Sequence, residues 1–216
     1  MHESQRLINH VALVLDGSGS MVPFVNKVIE VADEQVRQLA LRSEELKQET
    51  RISIYRFWGG YQRGGGGNVD CLVFDMDVMR SPSIADLYKA DGGTPLVDAV
   101  IKSQQDLATT SQIYGDHAFL TLILTDGDEN TSENSWTELA KYTKNAQENW
   151  TVGFFVPNKQ GERFLTIAGV DKGNITIWDA TSVEGVAKAG EVFRGTVDAY
   201  MTARATGVRG TKSLFT

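Results

Sequence analysis

Apolar runs of strand length alternate along the chain with longer polar segments whose apolar residues recur every three or four positions. Continuous apolar runs predict buried β-strands, and the spacing of three and four predicts amphipathic helices. The predicted strands are Leu7–Leu15, Arg51–Trp58, Asn68–Phe74, His117–Thr125, Trp150–Val156 and Asn174–Trp178. The predicted helices are Pro23–Lys47, Ser83–Lys89, Pro95–Thr110, Ser135–Glu148, Glu162–Ala168 and Ser182–Arg204. This alternation indicates an α/β sheet with helices on both faces.

The second and third predicted strands have no helix between them. They are joined by Gly59–Gly67, nine residues of which six are glycine, so we expect an antiparallel hairpin. Its tip is expected beside the carboxyl end of the first strand, where Trp58, Tyr61 and Arg63 are placed to contact a partner; a solvated tip is the equal alternative. Since no linker or composition shift divides the chain, we predict one six-stranded domain over residues 1–205 and a tail over 206–216.

The composition is that of an ordinary globular protein, with 41% hydrophobic and 23% charged residues among 216. The net charge of −7 disfavours binding to nucleic acids and to anionic membranes. No apolar run reaches the length of a membrane span, and the N-terminal residues lack the apolar core of a secretory signal. We therefore expect a cytoplasmic protein. The single cysteine, Cys71, lies in an apolar run and is expected to be a buried thiol.

The first candidate site follows the first predicted strand, where the sequence reads Asp16-Gly17-Ser18-Gly19-Ser20. Carboxylate and hydroxyl oxygens are the ligands that Mg²⁺, Mn²⁺ and Ca²⁺ prefer. The intervening glycines allow a tight bend that points alternate side chains to one spot. A glycine–serine turn with an N-capping serine before a helix is the alternative interpretation of this stretch.

Two further oxygen-bearing residues are predicted at the same edge of the sheet. Asp126 directly follows the fourth predicted strand, and Thr94 stands at the start of a helix that returns from this edge. Ligands of open parallel sheets bind beyond the carboxyl ends of the strands, where the winding reverses. If the first and fourth strands are neighbours, two carboxylates and three hydroxyls converge there.

These residues resemble the metal-ion-dependent adhesion site of von Willebrand factor A domains in their order, spacing and structural context. The resemblance extends from the first strand to the last helix. It implies a Rossmann-like sheet with strand order 3-2-1-4-5-6 and an antiparallel third strand, as the hairpin also indicates. The three matching motifs are Asp16–Ser20 (DGSGS), Gly93–Leu96 (GTPL) and Thr125–Gly127 (TDG).

The resemblance also implies a role for each residue of the site. Ser18 and Ser20 are expected to ligate the metal through their hydroxyls, Asp16 and Asp126 directly or through water, and Thr94 directly in one state and through water in another. Mg²⁺ is the expected ion, with Mn²⁺ or Ca²⁺ as alternatives. An ion held in this way lacks one anionic oxygen, which an Asp or Glu of a partner protein supplies.

The resemblance therefore implies a metal-dependent protein-binding module rather than an enzyme. Stand-alone intracellular members in bacteria and their viruses often act beside ring-forming (AAA+) ATPases, so an ATPase of this kind is one expected partner. No nucleic acid or membrane partner is expected, since the chain is acidic.

Four other acids lie near the three motifs and have less defined roles. Asp128 and Glu129 are expected to be solvated acids near a helix N-terminus, with ligation of a second cation as the alternative. Asp91 has the same two interpretations. Asp98, one helical turn beyond Thr94, is expected close to the site without contacting the metal.

Two other functions compete with metal-dependent binding. In a Mg²⁺-dependent phosphoryl-transfer enzyme, Asp16 would be the nucleophile and Asp126 with Asp128 would hold the metal. However, hydrolases of the haloacid-dehalogenase type place a second acid two residues after the first, where this chain has Ser18, and no Lys or Arg adjoins the motifs to hold phosphate. The third possibility is an assembly protein that kept the fold with a vestigial site.

Overall fold

Alternating elements of the chain form a single six-stranded sheet flanked by helices. The computed structural model describes residues 6–61, 65–127, 129–144 and 146–215. The strands are β1 Leu7–Asp16, β2 Glu49–Trp58, β3 Asn68–Asp77, β4 Asp116–Leu124, β5 Trp150–Val156 and β6 Ile175–Ile177. The helices are α1 Val25–Leu46, α2 Leu96–Ala108, α3 Trp136–Lys144, α4 Lys159–Ile167 and α5 Val183–Arg204.

The strand order is β3-β2-β1-β4-β5-β6, and neighbouring strands are parallel except for the antiparallel pair β2–β3. The predicted fold class is therefore confirmed, including the strand order and the hairpin. β1 and β4 are the neighbours between which the winding reverses, and Leu15 lies opposite Leu124 in their register. Asp16 and Asp126 consequently emerge at the same edge of the sheet.

Two apolar cores, one on each face, hold the helices against the sheet. Successive residues of β1 face opposite sides, so that Leu13 packs towards α1 and α5, whereas Val14 packs towards α2, α3 and α4. Both side chains are fully buried, as expected for the central strand of a parallel sheet. No helix in the described ranges is long and apolar enough to cross a membrane.

Three helix predictions differ from the structure. The short predicted helix Glu162–Ala168 is α4, which begins at Lys159 because the Asn158 side chain accepts hydrogen bonds from the Gln160 and Gly161 N–H groups. Residues 83–89 form turns instead of a helix, since the segment is short and its start is fixed by Asp33, which accepts hydrogen bonds from the Ser83 hydroxyl and the Ile84 N–H. The third long helix ends at Lys144 rather than Glu148, because the chain turns ahead of β5 where Trp150 N–H donates to the Gln147 carbonyl at 3.0 Å. None of these differences changes the strand order.

The expectation of a buried cysteine was also wrong. Cys71 is exposed because β3 is the edge strand, with a partner on one side only. Its thiol contacts the carbonyl of Val73 at 3.4 Å. Although the residue is exposed, partial desolvation of its sulfur raises the pKa of this thiol, which does not favour the reactive thiolate.

The segment after α5 packs on the body of the domain. Leu214 and Phe215 join the core between the sheet and α5, and the ring of Phe215 meets that of Phe155 edge-on at 5.1 Å between centroids. Arg209 pairs with Asp116 at the start of β4, with 2.7 Å between Nε and Oδ1. Residues 206–215 are therefore part of the packed structure.

Candidate metal centre

Asp16 ends β1 as a fully buried carboxylate whose two oxygens both accept hydrogen bonds. Oδ1 accepts from the Ser18 N–H at 2.8 Å, and Oδ2 accepts from the Thr125 hydroxyl at 2.6 Å. The hydroxyl of Tyr88 donates to the Asp16 carbonyl. These contacts fix the carboxylate at the junction of β1 and β4, and Thr125 is a supporting residue to which the sequence analysis gave no role.

Ser18, Ser20 and Asp126 form a short chain of oxygen atoms beside Asp16. The hydroxyls of Ser18 and Ser20 are 3.1 Å apart, and the Ser20 hydroxyl donates to Asp126 Oδ1 at 2.8 Å. The DGSGS turn and the acid that follows β4 therefore meet directly, as the sequence predicted.

Thr94 reaches the same place through the loop that precedes α2. Gly19 N–H donates to the Gly92 carbonyl at 2.8 Å, which joins this loop to the DGSGS turn. Gly92 has φ +72°, and a Cβ on it would lie 2.5 Å from Gly59 Cα, so a side chain would disrupt the junction. Thr94 is 3% exposed, and its hydroxyl oxygen lies 3.4 Å from the point where a Cβ on Gly127 would stand.

The structure therefore gathers Asp16, Ser18, Ser20 and Asp126 at one edge of the sheet, and it places the Thr94 hydroxyl beside Gly127, the residue after Asp126. Among the described residues, no group of three or more His, Cys, Asp and Glu side chains is arranged to hold a metal ion. The donors gathered here are instead two carboxylates and three hydroxyls. That hard-oxygen set suits Mg²⁺ or Ca²⁺.

The electrostatics of the two carboxylates also fit a cation. Burial, and after it the nearby charge of Asp126, raise the pKa of Asp16 to about 7. Burial likewise raises the pKa of Asp126, partly offset by the bond from Ser20. Arg56, which packs against Gly17, is paired with Asp70 and does not neutralise the site. A divalent ion would supply the missing positive charge.

Glu129 is not a solvated acid, contrary to expectation. Its Oε2 accepts from the Val97 N–H at 2.9 Å, and its Oε1 accepts from the N–H groups of Thr131 and Ser132 at 2.9 and 2.7 Å. Glu129 thus provides an acceptor for a backbone N–H in the first turn of α2, that of Val97, which lies three residues after Thr94. A glutamate that caps a helix from a distant loop carries no local sequence signal, because the capping pattern normally lies within one segment.

Asp98 and Asp91 also have structural partners. The carboxylate of Asp98 accepts from the N–H groups of Glu133 and Asn134, both at 2.9 Å. Asp91 accepts from the Tyr61 hydroxyl at 2.9 Å. Asp128 lies outside the described residues.

The glycine-rich hairpin lies beside the site, as predicted. Gly59 bridges to Gly92 in the loop that carries Thr94, and Tyr61 is 80% exposed. Trp58 has contacts within the protein: its indole N–H donates to Asp70 at 2.8 Å, and the Arg56 guanidinium covers its ring. Arg63 lies outside the described residues.

Comparison with known proteins supports the fold. No family model and no curated protein matches the chain. Among solved structures it is similar to a von Willebrand factor type A protein from Catenulispora acidiphila (14% identity, TM-score 0.54), proximal thread matrix protein 1 from the mussel byssus (12%, 0.61) and the PilB minor pilin from Streptococcus sanguinis (12%, 0.58).

The alignments cover 88%, 89% and 93% of this chain but only 42%, 47% and 63% of those chains. The chain thus spans about half the length of the structures it matches. At these identities the likeness establishes a von Willebrand factor A-like fold.

Proposed function

We propose that the chain is a protein-binding module that depends on a divalent metal, most simply Mg²⁺, with Mn²⁺ or Ca²⁺ as substitutes. The observation that carries this proposal is the convergence of Asp126 on the Ser18–Ser20 turn, at 2.8 Å from the Ser20 hydroxyl. An ion bound there would offer an open coordination position to an Asp or Glu side chain of a partner protein.

Each residue of the site has a distinct part in this proposal. Ser18, Ser20 and Thr94 provide neutral hydroxyl oxygens, so the site carries only the two negative charges of Asp16 and Asp126. Two carboxylates balance a divalent ion without excess, which leaves it attractive to one more anion. Thr125 and the Ser18 N–H hold Asp16 in place, since both donate to its carboxylate.

The surroundings of Asp16 favour binding over phosphoryl transfer. A nucleophilic carboxylate needs an oxygen that the substrate can reach, whereas Asp16 is fully buried and both of its oxygens accept hydrogen bonds. This arrangement still allows Asp16 to serve a metal ion through a bridging water. The guanidinium of Arg56 is held by Asp70 and by the carbonyls of Leu87 and Lys89. It is therefore not free to bind a phosphate.

The cellular setting of the proposal rests on the sequence resemblance. An intracellular bacterial or viral module working beside a ring-forming ATPase would use the acidic-residue contact to select its partner. The mussel byssus protein, the minor pilin and the Catenulispora acidiphila protein share the fold, and their descriptions do not define the partner of this chain.

Metal binding is tested by Mn²⁺ titration followed by electron paramagnetic resonance, with Mg²⁺ as competitor. Wild type should bind Mn²⁺ and release it to Mg²⁺, whereas Asp126→Ala should not bind. Asp86→Ala is the matched control, since Asp86 is an exposed acid outside the three motifs. Equal binding by wild type and Asp126→Ala would overturn the proposed site, and no binding by wild type would leave an assembly protein with a vestigial site.

Partner binding is tested by affinity capture with the same three proteins, in Mg²⁺ and in EDTA. A genuine partner should be retained by wild type and Asp86→Ala in Mg²⁺ only, and lost from Asp126→Ala. Partners retained equally in EDTA would contradict metal-dependent binding.

A further inference from the structure

A chain of hydrogen-bonded side chains crosses the sheet far from the candidate metal centre. His10 on β1 contacts Asp75 on β3 through Nδ1 at 2.8 Å, and contacts His117 on β4 through Nε2, which is 2.9 Å from His117 Nδ1. His117 Nε2 in turn lies 2.8 Å from the Tyr114 carbonyl. Six residues of extended strand, roughly 20 Å, separate His10 from Asp16.

The backbone of β3 is shaped to deliver Asp75 to this chain. β3 bulges opposite Ser53, because Met76 pairs with Ile52 whereas Val73 pairs with Ile54. Asp75 has φ +41°, a left-handed conformation, and its N–H donates to the Ser53 hydroxyl at 2.9 Å. The bulge turns its carboxylate across β2 towards His10.

Counting protons along the chain shows that two neutral imidazoles cannot complete it. The Tyr114 carbonyl can only accept, so His117 Nε2 must carry a proton, and an ionised Asp75 requires a proton on His10 Nδ1. The contact between the two imidazole rings needs one further proton. Three contacts require three protons, whereas two neutral histidines supply two.

The additional proton belongs to the histidine pair rather than to Asp75. Arg51 Nε lies 2.9 Å from Asp75 Oδ2. Although burial opposes ionisation, the bonds and charges of His10 and Arg51 hold the pKa of Asp75 below its usual value. For all three contacts to be made with Asp75 ionised, both ring nitrogens of His10 would need to carry a proton. His10 is 1% exposed and stacks on Phe119 at 4.5 Å between ring centroids.

The other charged groups around the pair are already matched. On β4, Asp116 pairs with Arg204 and Arg209, and Arg209 also donates to the His117 carbonyl. On β2, Glu49 pairs with Arg6 and lies 3.5 Å from Arg51. On α2, which packs against this face, Lys102 and Asp106 pair at 2.8 Å, close to the raised-pKa hydroxyl of Tyr55. Asp75 remains as the acid in contact with the pair.

We propose that the His10–His117 pair is a proton-operated latch on the loop of residues 109–115. With the third proton present, all three contacts are made and the loop is held through the Tyr114 carbonyl. When that proton leaves for solvent, His10 keeps Nδ1–H for Asp75, and His117 moves its own proton to Nδ1 to serve His10. The lone pair of His117 Nε2 then faces the Tyr114 carbonyl, so that contact is lost.

The hydrogen bond that is lost is the one between His117 and the Tyr114 carbonyl, because Tyr114 lies in a surface loop. Tyr114 belongs to a surface loop in which Ile113 is 75% and Tyr114 82% exposed, whereas His10 and Asp75 are fixed in strands. The latch is therefore closed at lower pH and opens as pH rises. Its consequence is a pH-dependent release of the loop of residues 109–115.

Proton-detected ¹⁵N spectra of the imidazole nitrogens test this proposal directly, recorded between about pH 5 and pH 9 on the full chain. Below the transition, three ring nitrogens should be protonated, with His117 Nδ1 bare. Above it, His117 should become the Nδ1–H tautomer, and amide exchange at residues 112–115 should accelerate beyond the intrinsic effect of base. An unchanged His117 tautomer across this range would overturn the proposal.

Two variants separate the latch from general structural effects. Asp75→Asn keeps an acceptor for His10 and a residue type that tolerates positive φ, but removes the negative charge, so the transition should fall by about one pH unit or more. Tyr114→Ala keeps the carbonyl and should leave the transition where it is. A transition unmoved in Asp75→Asn would contradict the proposed charge pairing, and near-ultraviolet circular dichroism verifies that both variants are folded.

Discussion

The Ser20 hydroxyl donates a 2.8 Å hydrogen bond to Asp126 Oδ1, although the two residues are 106 positions apart in the chain. Ser20 follows β1 and Asp126 follows β4, and because these strands are neighbours in the sheet, the two residues lie close together in space. Asp126 also raises the pKa of Asp16, so the same convergence places a buried and a partly buried carboxylate close together. Without a cation this arrangement is unfavourable, and the first two predictions follow from that.

Asp126→Asn should reverse its effect on stability when metal is added. In EDTA the variant should be more stable than wild type by about 1 kcal/mol, because the charge that opposes ionisation of Asp16 is gone and the amide oxygen still accepts from Ser20. In saturating Mg²⁺ or Mn²⁺, wild type should gain roughly 1–3 kcal/mol and the variant nothing. Urea unfolding of both proteins in EDTA and in metal measures this reversal of their relative stabilities. Parallel gains in both proteins would show that the metal binds elsewhere.

The metal-free protein should lose stability as pH rises from about 4 to about 7. The folded pKa of Asp16 is raised to about 7 from 3.8, first by burial and then by Asp126, so the folded state binds this proton more tightly across that interval. The stabilisation is present at the acidic end and is lost as pH approaches 7, by up to about 4 kcal/mol. Unfolding of wild type and Asp16→Asn in EDTA checks this, since the variant should have a flatter profile. Superimposable profiles would be the contrary result.

Much of the fold could be predicted because the signals are local. The apolar runs of β1 and β4 and the spacing in α1 define buried elements, and the Gly59–Gly67 connection leaves no room for a crossover helix. The prediction of a helix over residues 83–89 was wrong because so short an apolar pattern does not distinguish a helix from a turn. Turns bury Ile84 and Tyr88 as well as one helical turn would.

The candidate site could be predicted only at the level of its motifs. Each of its residues lies at the end of a predictable element, so the strand order sufficed to bring them together. The capping role of Glu129 depends on how the 129–132 loop folds over α2, which no short-range pattern encodes. The exposure of Cys71 similarly depends on β3 being the edge strand.

Glu129→Ala should destabilise the protein and weaken metal binding together. Three backbone N–H groups, including that of Val97 in the first turn of α2, lose their acceptor, which should cost about 1–2 kcal/mol. Because Thr94 lies just before this turn, the Mn²⁺ affinity should fall as well. Glu129→Gln, which keeps one acceptor oxygen, should lose less of both. Glu191→Ala, an exposed helical control, should change stability by less than about 0.5 kcal/mol.

The segment after α5 should contribute to stability through Phe215. Its ring is partly buried, packs edge-on against Phe155 and adjoins Leu214, which rests on Gly153. Phe215→Ala should therefore lower the free energy of unfolding by about 2–3 kcal/mol through lost apolar burial and lost ring contact. Val208→Ala is the matched control in the same segment, because Val208 is 38% exposed and should cost less than about 0.5 kcal/mol. Equal, small effects of both substitutions in urea unfolding would mean that residues 206–215 do not dock on the domain in solution.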